Sequence, residues 1–265
     1  MPLIELEHLD DPRLERYHNL PSQKMDRDPL NMIVEGKFNV LRLFDTQWPI
    51  ESVVVERKHQ HLVPRQIIET TDVLSLPTPL ISQTIGYAFH GGLIACTPKP
   101  ANADLDALIK RDGDQTTLVL CPNVSNTENM GSLIRIAAGF GVTALVSGEQ
   151  ACDPFSRRSV RVSMGTVFTL PIVRCDDMAT LMQQLTRQYQ IQHVAAVLSD
   201  KAVQLNQIKR SGPTSLILGS EAHGIDEHWL KHAQEHTIIP MSLGTDSLNV
   251  ATAGAVCLYH LTQLC

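Results

Sequence analysis

The residues of this chain best suited to chemistry stand in three spaced clusters. They are Asn129-Met130-Gly131 with Arg135, then Gly219-Ser220-Glu221, then Ile239-Pro240-Met241 followed by Ser247-Leu248-Asn249-Val250. Each couples a turn or helix start with polar side chains, and each lies beside an apolar, strand-like run. An α/β sheet gathers such loops at one end, outside the carboxyl ends of its strands, so the three are expected to form one ligand-binding site. A fourth group, Asp153-Pro154 followed by Arg157, Arg158 and Arg161, leads into Ser163-Met164-Gly165. Two adjacent arginines beside a glycine turn in an acidic protein suit phosphate clamping.

Every one of these residues also has a plain reading. Arg135, six residues after Asn129, can be an ordinary surface arginine in the second turn of a helix. Glu221 follows the apolar run Leu216 to Leu218, which puts it at a strand edge, yet a carboxylate near Gly224 can simply cap a helix. Ser247 and Asn249 precede a small-residue helix, where either can be the N-cap. The arginine run can be a solvated face. His228, His232 and His236 are spaced by four and would line one face of a helix. No carboxylate or second cluster completes a metal site, so a solvated face is the favoured reading and no metal is assigned.

The elements that must position these groups are legible as alternating segments. From Thr117 to Leu120, Ala144 to Val146, Val194 to Leu198, Ser215 to Leu218 and Thr237 to Ile239 the chain reads as strands. Helical windows fall between them at Met130 to Phe140, closed by Gly139 and Gly141, and at Ala179 to Tyr189 behind Asp176-Asp177. Such alternation implies an α/β fold with a mainly parallel sheet and helices on both faces. Upstream, a smaller α/β domain is expected from the helical stretch Val40 to Phe44, the β-branched Ser52 to Val55 and the apolar Leu93 to Cys96. Residues 1–28 look like a polar extension, and Thr97 to Asp114, with Pro98, Pro100 and Gly113, is the expected linker. The division this suggests is 1–112 and 113–265.

Composition excludes several classes. With 265 residues, 43% hydrophobic and 19% charged, the chain is neither disordered nor fibrous. No window approaches the run of about 20 apolar residues that a spanning helix needs, and the acidic N-terminus does not resemble a signal peptide. A cytoplasmic protein is expected. The six cysteines form no C-x-x-C pair, which fits reduced, mostly buried thiols. A net charge of −6 argues against coating nucleic acid by bulk electrostatics and leaves room for local basic patches. There is no G-x-G-x-x-G after a strand, no G-x-x-x-x-G-K-[ST] and no H-E-x-x-H. Ordinary dinucleotide enzymes, nucleotide hydrolases and zinc proteases lose support.

In order and spacing the clusters resemble the SpoU-type RNA ribose 2′-O-methyltransferases of the SPOUT class. Three motifs carry the resemblance over about residues 115–262: N-x-G-x-x-x-R at Asn129 to Arg135, G-x-E-x-x-G at Gly219 to Gly224, and I-P-M…S-L-N-V at Ile239 to Val250. The S-x-G turn at Ser163 to Gly165 agrees. Ile33-Val34-Glu35-Gly36 and His90-Gly91-Gly92 anchor a looser likeness to the ribosomal-protein-like domain many members carry in front. Two departures stand out: Asn126-Thr127 occupies the place of a frequent Asp-Pro, and Leu243 stands where a glycine is common, with Gly244 following.

The resemblance implies a C-terminal trefoil knot, which is a rare exception to unthreaded topology. It implies S-adenosyl-L-methionine as cofactor, held mainly by backbone at Gly219, Ile239, Met241 and Leu248. It implies a homodimer acting on tRNA or rRNA, with Arg157, Arg158 and Arg161 on the RNA side. Arg135 is then the base or charge stabiliser that activates the ribose hydroxyl, Asn129 holds the ribose or orients Arg135, and Glu221, Ser247 and Asn249 fix the surrounding loops. A non-catalytic knotted RNA-binding protein, a SPOUT-class base methyltransferase and a small-molecule-binding α/β protein are the alternatives. The S-L-N-V motif together with Arg135 favours ribose methylation.

Overall fold

A computed structural model describes residues 3–21, 30–199, 201–243 and 247–265. The chain divides into two compact units. One comprises Met1–Pro100 with Phe155–Phe168, and the other Ala101–Pro154 with Thr169–Cys265.

The first unit holds β1 (Ile4–Glu5), β2 (Asn31–Glu35), α1 (Lys37–Phe44), β3 (Ser52–Glu56), α2 (Arg65–Thr70), β4 (Asp72–Leu76), α3 (Thr78–Ile85) and β5 (Leu93–Pro98). Its sheet runs β1-β4-β3-β5-β2, with β1, β4 and β3 parallel and β5 antiparallel to both β3 and β2. The N-terminal stretch is more than a polar extension. Ile4 and Glu5 pair with Leu74 and Ser75, and Leu14 and Tyr17 are fully buried in a core with Ile33, Val54, Leu74 and Ile81. Their wide spacing in polar text hid that role.

The second unit holds α4 (Leu105–Asp112), β6 (Thr117–Cys121), α5 (Thr127–Gly139) and β7 (Ala144–Ser147). After an excursion into the first unit, where α6 (Arg157–Val162) lies, it resumes with β8 (Ile172–Arg174), α7 (Met178–Tyr189) and β9 (Gln192–Ala196). It ends with β10 (Val203–Gln204), β11 (Thr214–Ile217), α8 (Glu227–Leu230), β12 (Glu235–Ile238) and α9 (Val250–Tyr259). Its seven strands among the described residues are all parallel, in the order β10-β12-β9-β11-β6-β7-β8. Strand β11 enters between β6 and β9, so the connections run one way along the sheet through β7 and β8 and the other way through β9 and β12. The edge between β6 and β11 is therefore a switch point, where α/β sheets bind ligands.

Two features depart from the sequence reading. The expected linker contains α4, capped by the Asp104 side chain, and its Ile109 is 2% exposed in the core of the second unit. Residues 155–168 belong to the first unit because Trp48 packs its ring 5.3 Å from Phe168 and 6.4 Å from Phe155, centroid to centroid.

The second unit buries an ionisable side chain with defined partners. His193 on β9 is fully buried, with its Nδ1 2.5 Å from the Ser215 hydroxyl on β11 and its Nε2 3.0 Å from the Met182 carbonyl on α7. A carbonyl only accepts, so Nε2 carries the proton and Nδ1 accepts from Ser215. Burial pushes the imidazole below its ordinary value. The unfolded chain therefore takes up a proton, near the ordinary histidine value of about 6.5, that the folded chain refuses. This contribution to stability is constant above that value and falls as pH drops through it, with a slope of at most about 1.4 kcal/mol per pH unit. His193→Gln is expected to flatten the stability profile between pH 7 and 5 relative to the parent, measured by urea denaturation.

Candidate active site

Each cluster follows the carboxyl end of a parallel strand. Strand β6 and β11 are adjacent and in register, Leu120 opposite Ile217. Asn129 therefore opens α5 beyond one strand while Gly219-Ser220-Glu221 turns beyond its neighbour. The third cluster begins at the end of β12 and finishes at the start of α9.

Three side chains of the clusters are joined by hydrogen bonds. Asn129 Nδ2 donates to Glu221 Oε1, and Asn249 Nδ2 donates to Asn129 Oδ1 at 2.9 Å. The chain Asn249–Asn129–Glu221 thus links residues 120 and 92 positions apart in sequence. Asn249 is also the N-cap of α9, its Oδ1 accepting from the amides of Ala251 and Thr252. One amide side chain thus caps α9 with its acceptor end and reaches Asn129 with its donor end.

The turn carrying Glu221 is backed by close contact. A Cβ on Gly219 would lie 2.4 Å from the carbonyl carbon and oxygen of Gly224, so only glycine fits. Asn123, just past β6, accepts from the Ser220 amide at 3.1 Å and donates to the Gly224 carbonyl at 3.0 Å. Sequence reasoning missed Asn123. Its one signal was an amide side chain immediately after a strand, on the same sheet edge as the Gly219 turn. Gly254 on α9 lets that helix close on the sheet, since a Cβ there would lie 2.8 Å from Leu133 and 3.0 Å from Leu218.

The Asn126-Thr127 departure has a simple explanation. Asn126 is the N-cap of α5 and accepts from the amides of Glu128 and Asn129. Asn and Asp are comparable N-caps, and Thr127 takes the first helical position where proline is otherwise favoured. Leu243 has φ of 57° and is fully exposed. Gly244, its partner in the second departure, lies outside the described residues.

Not every expected residue joins the chain of three. Arg135 is exposed on α5, six residues or about 9 Å along the helix from Asn129. Ser247 and Leu248 are exposed, while Ile239 and Met241 are half-buried past β12. Arg157, Arg158 and Arg161 lie on α6 in the first unit. The histidine stripe does not form. Helix α8 ends at Leu230, so His232 follows it and His236 stands in β12. Among the described residues no group of three or more His, Cys, Asp or Glu is placed to hold a metal ion, and no helix is long and apolar enough to cross a membrane.

A polar chain thus spans residues that follow three strands, with a glycine turn and two amide-capped helices. The model of the SpoU rRNA Methylase family matches residues 116–259, more than half of the chain. This chain belongs to the SpoU rRNA methylase family. It is an RNA methyltransferase by that membership. An uncharacterized tRNA/rRNA methyltransferase of Mycobacterium tuberculosis (strain ATCC 25618 / H37Rv) is 31% identical over 269 residues, covering 96% of this chain and 90% of the relative. The 23S rRNA (guanosine-2′-O-)-methyltransferase RlmB of Acinetobacter baylyi is 25% identical over 183 residues, covering 68% and 73%. Among solved structures, the AdoMet-bound rRNA methyltransferase from Sinorhizobium meliloti aligns with a TM-score of 0.82 at 24% identity, over 97% of this chain and 96% of that one. The SpoU methyltransferase AviRb from Streptomyces viridochromogenes, in complex with AdoMet, aligns at 0.80 and 23% identity, over 96% and 98%. These two establish the shared SpoU fold.

The hydrogen bonds of this site can be measured in a family member without substrate. Asn249→Ala is expected to cost about 1 kcal/mol through loss of its cap. In a double-mutant cycle with Asn129→Ala, urea denaturation is expected to show coupling of about 0.5 to 1 kcal/mol. Strict additivity would show that the Asn249–Asn129 bond adds nothing.

Proposed function

We propose that this protein transfers a methyl group from S-adenosyl-L-methionine to a ribose 2′-hydroxyl of tRNA or rRNA, at the β6–β11 edge. The observation that carries this reading is the hydrogen-bonded chain Asn249–Asn129–Glu221, which draws together the three clusters on which the resemblance rests. The 23S rRNA named for the RlmB relatives makes ribosomal RNA the first substrate to test.

The residues present fit the cofactor. Gly219 carries no side chain at the end of β11, and Ile239, Met241 and Leu248, half-buried or exposed, offer apolar side chains in the segments after β12 and before α9. Neutral backbone and apolar groups suit an adenosine and a methionine chain. S-adenosylmethionine, when bound, supplies a methyl group on a sulfonium that leaves as a neutral thioether.

The remaining work falls to the protein. The ribose hydroxyl is a poor nucleophile until its proton is drawn away, so the site must favour developing negative charge on that oxygen. Asn129, with both amide ends already engaged, holds a fixed position at the strand end and orients the ribose. Glu221 and Asn249 keep it there, and Ser247 lines the same loop. Arg135, exposed further along α5, engages the RNA phosphate and stabilises the negative charge left on the ribose oxygen as that phosphate or a water takes the hydroxyl proton. A guanidinium normally stays protonated, which favours this electrostatic role over that of a base.

The C-terminal segment that delivers α9 is assigned the trefoil knot of the family. A second copy is assigned to α9, where Val256 is 40% and Tyr259 50% exposed. The protein is assigned to the cytoplasm. Residues 1–112 are assigned to RNA docking and 113–265 to methyl transfer, with α6 as the stretch of the latter that packs in the first unit.

The test is transfer of labelled methyl groups to unmodified 23S rRNA and tRNA transcripts, followed by alkaline hydrolysis. Label in alkali-resistant dinucleotides is expected, and label confined to bases would replace the ribose reading with base methylation. Arg135→Lys keeps the charge but loses planar two-point contact, and is expected to lower kcat by roughly 100-fold. Near-normal turnover by that variant would contradict the role given to Arg135.

A further inference from the structure

Two of the three arginines on α6, Arg157 and Arg161, are held by a residue of the first unit that the site described above does not use. Glu35, the last residue of β2, is only 7% exposed. One carboxylate oxygen lies 3.6 Å from Arg157 Nη1 and the other 3.5 Å from Arg161 Nη1. Tyr87 completes the cluster: its hydroxyl accepts from Arg157 Nη1 at 3.1 Å, while the Arg157 guanidinium stands 5.5 Å from the centre of its ring. Asn39 ties the backbones together, its Nδ2 donating to the carbonyls of Glu35 at 3.0 Å and Arg161 at 3.5 Å.

The charges are arranged asymmetrically. A carboxylate is costly to bury unless paired, and here one buried anion faces two cations. The cations are not buried with it, since the Arg157 and Arg161 side chains remain 26% and 56% exposed. A staple between β2 and α6 would be complete with one arginine. Two guanidiniums one helical turn apart, each fixed from behind and presented outward, have the geometry of a preformed anion seat.

We propose that Glu35 is a positioning residue that holds Arg157 and Arg161 as a two-guanidinium seat for a phosphodiester of the substrate RNA, with Tyr87 fixing Arg157. This rests on the RNA methyltransferase reading above and adds that the RNA backbone is gripped by the first unit. Fixing the arginines in advance removes the rotamer entropy that two long side chains would otherwise lose on binding.

The sign of one substitution separates positioning from simple charge. Removing a negative charge near a polyanion strengthens binding, whereas removing a positioning residue weakens it. The experiment compares the parent, Glu35→Gln, Arg161→Lys, Arg157→Ala/Arg161→Ala and Tyr87→Phe on a 23S rRNA or tRNA transcript that the parent methylates. Methyl-transfer kinetics, S-adenosylmethionine binding and the salt dependence of RNA binding are measured for each. Glu35→Gln is expected to raise KM for RNA roughly tenfold, the scale of one lost charge-assisted contact, with kcat and cofactor affinity kept. Its slope of log affinity against log salt is expected to shrink by about one phosphate contact. Arg161→Lys is expected to follow it, which maintains the test if Glu35→Gln does not fold, and Tyr87→Phe is expected to show a smaller rise.

RNA binding by Glu35→Gln equal to or tighter than the parent would overturn the proposal. So would a parallel fall in kcat, cofactor affinity and melting temperature, the mark of a structural staple. Unchanged RNA affinity in the double alanine variant, with an active parent, would overturn the seat and leave the methyltransferase reading intact. A parent that transfers no methyl group to either RNA would overturn that reading and the seat with it.

Discussion

Strand β11 hydrogen-bonds to β6 on one side and β9 on the other, with Thr214 opposite both Thr117 and Gln192. This double pairing fixes the rest of the second unit. Because β6 already sends its chain outward through α5 to β7, the loop after β11 must turn beside the loop after β6, and both must finish at the same sheet edge. Register does the remaining work. With Leu120 opposite Ile217, Asn123 and Gly219-Ser220 emerge at the same height, and two hydrogen bonds from one asparagine side chain close the gap. A shift of one residue would send these side chains to opposite faces.

Polar groups then accumulate where the chain has no regular structure to satisfy them. Asn123, Asn126, Asn129 and Asn249 are all amides; Asn126 uses its acceptor end, and the other three use donor and acceptor ends together, which a carboxylate or a hydroxyl does only in part. Asn126 and Asn249 cap α5 and α9; Asn129 and Asn249 meet between them. The two helices pack through the Gly254 contact, so cap, helix packing and site geometry are one mechanical unit. Substitutions at the glycines that back this unit are therefore expected to move the polar chain without touching it.

How much of this was legible depended on whether the signal was local. The strands β6, β7, β9, β11 and β12 and the helices α5 and α7 followed from apolar runs and capping residues, displaced by a few residues at their ends. The first cluster, the Gly219 turn and Asn249 were legible as chemistry on one edge. Strands of two or three residues, β8 and β10, carry too little pattern to read. The polar-looking N-terminus and the proline-bearing stretch around Leu105 were misread because their apolar residues are sparse, though Leu14, Tyr17 and Ile109 are buried. The histidines at intervals of four suggested a helix that ends after one turn, since β12 begins only five residues later. The placement of α6 rests on long-range contacts of Trp48, Glu35 and Tyr87, which no local period announces.

Cofactor binding is proposed at the ends of β11 and β12 and the start of α9, near Asn129. Hydrogen–deuterium exchange of the full chain with and without S-adenosylmethionine tests that placement most directly. Added protection confined to residues 219–224, 239–243 and 247–253, and to the first turn of α5, is the predicted result. Protection elsewhere in the chain, or none at saturating cofactor, would contradict it.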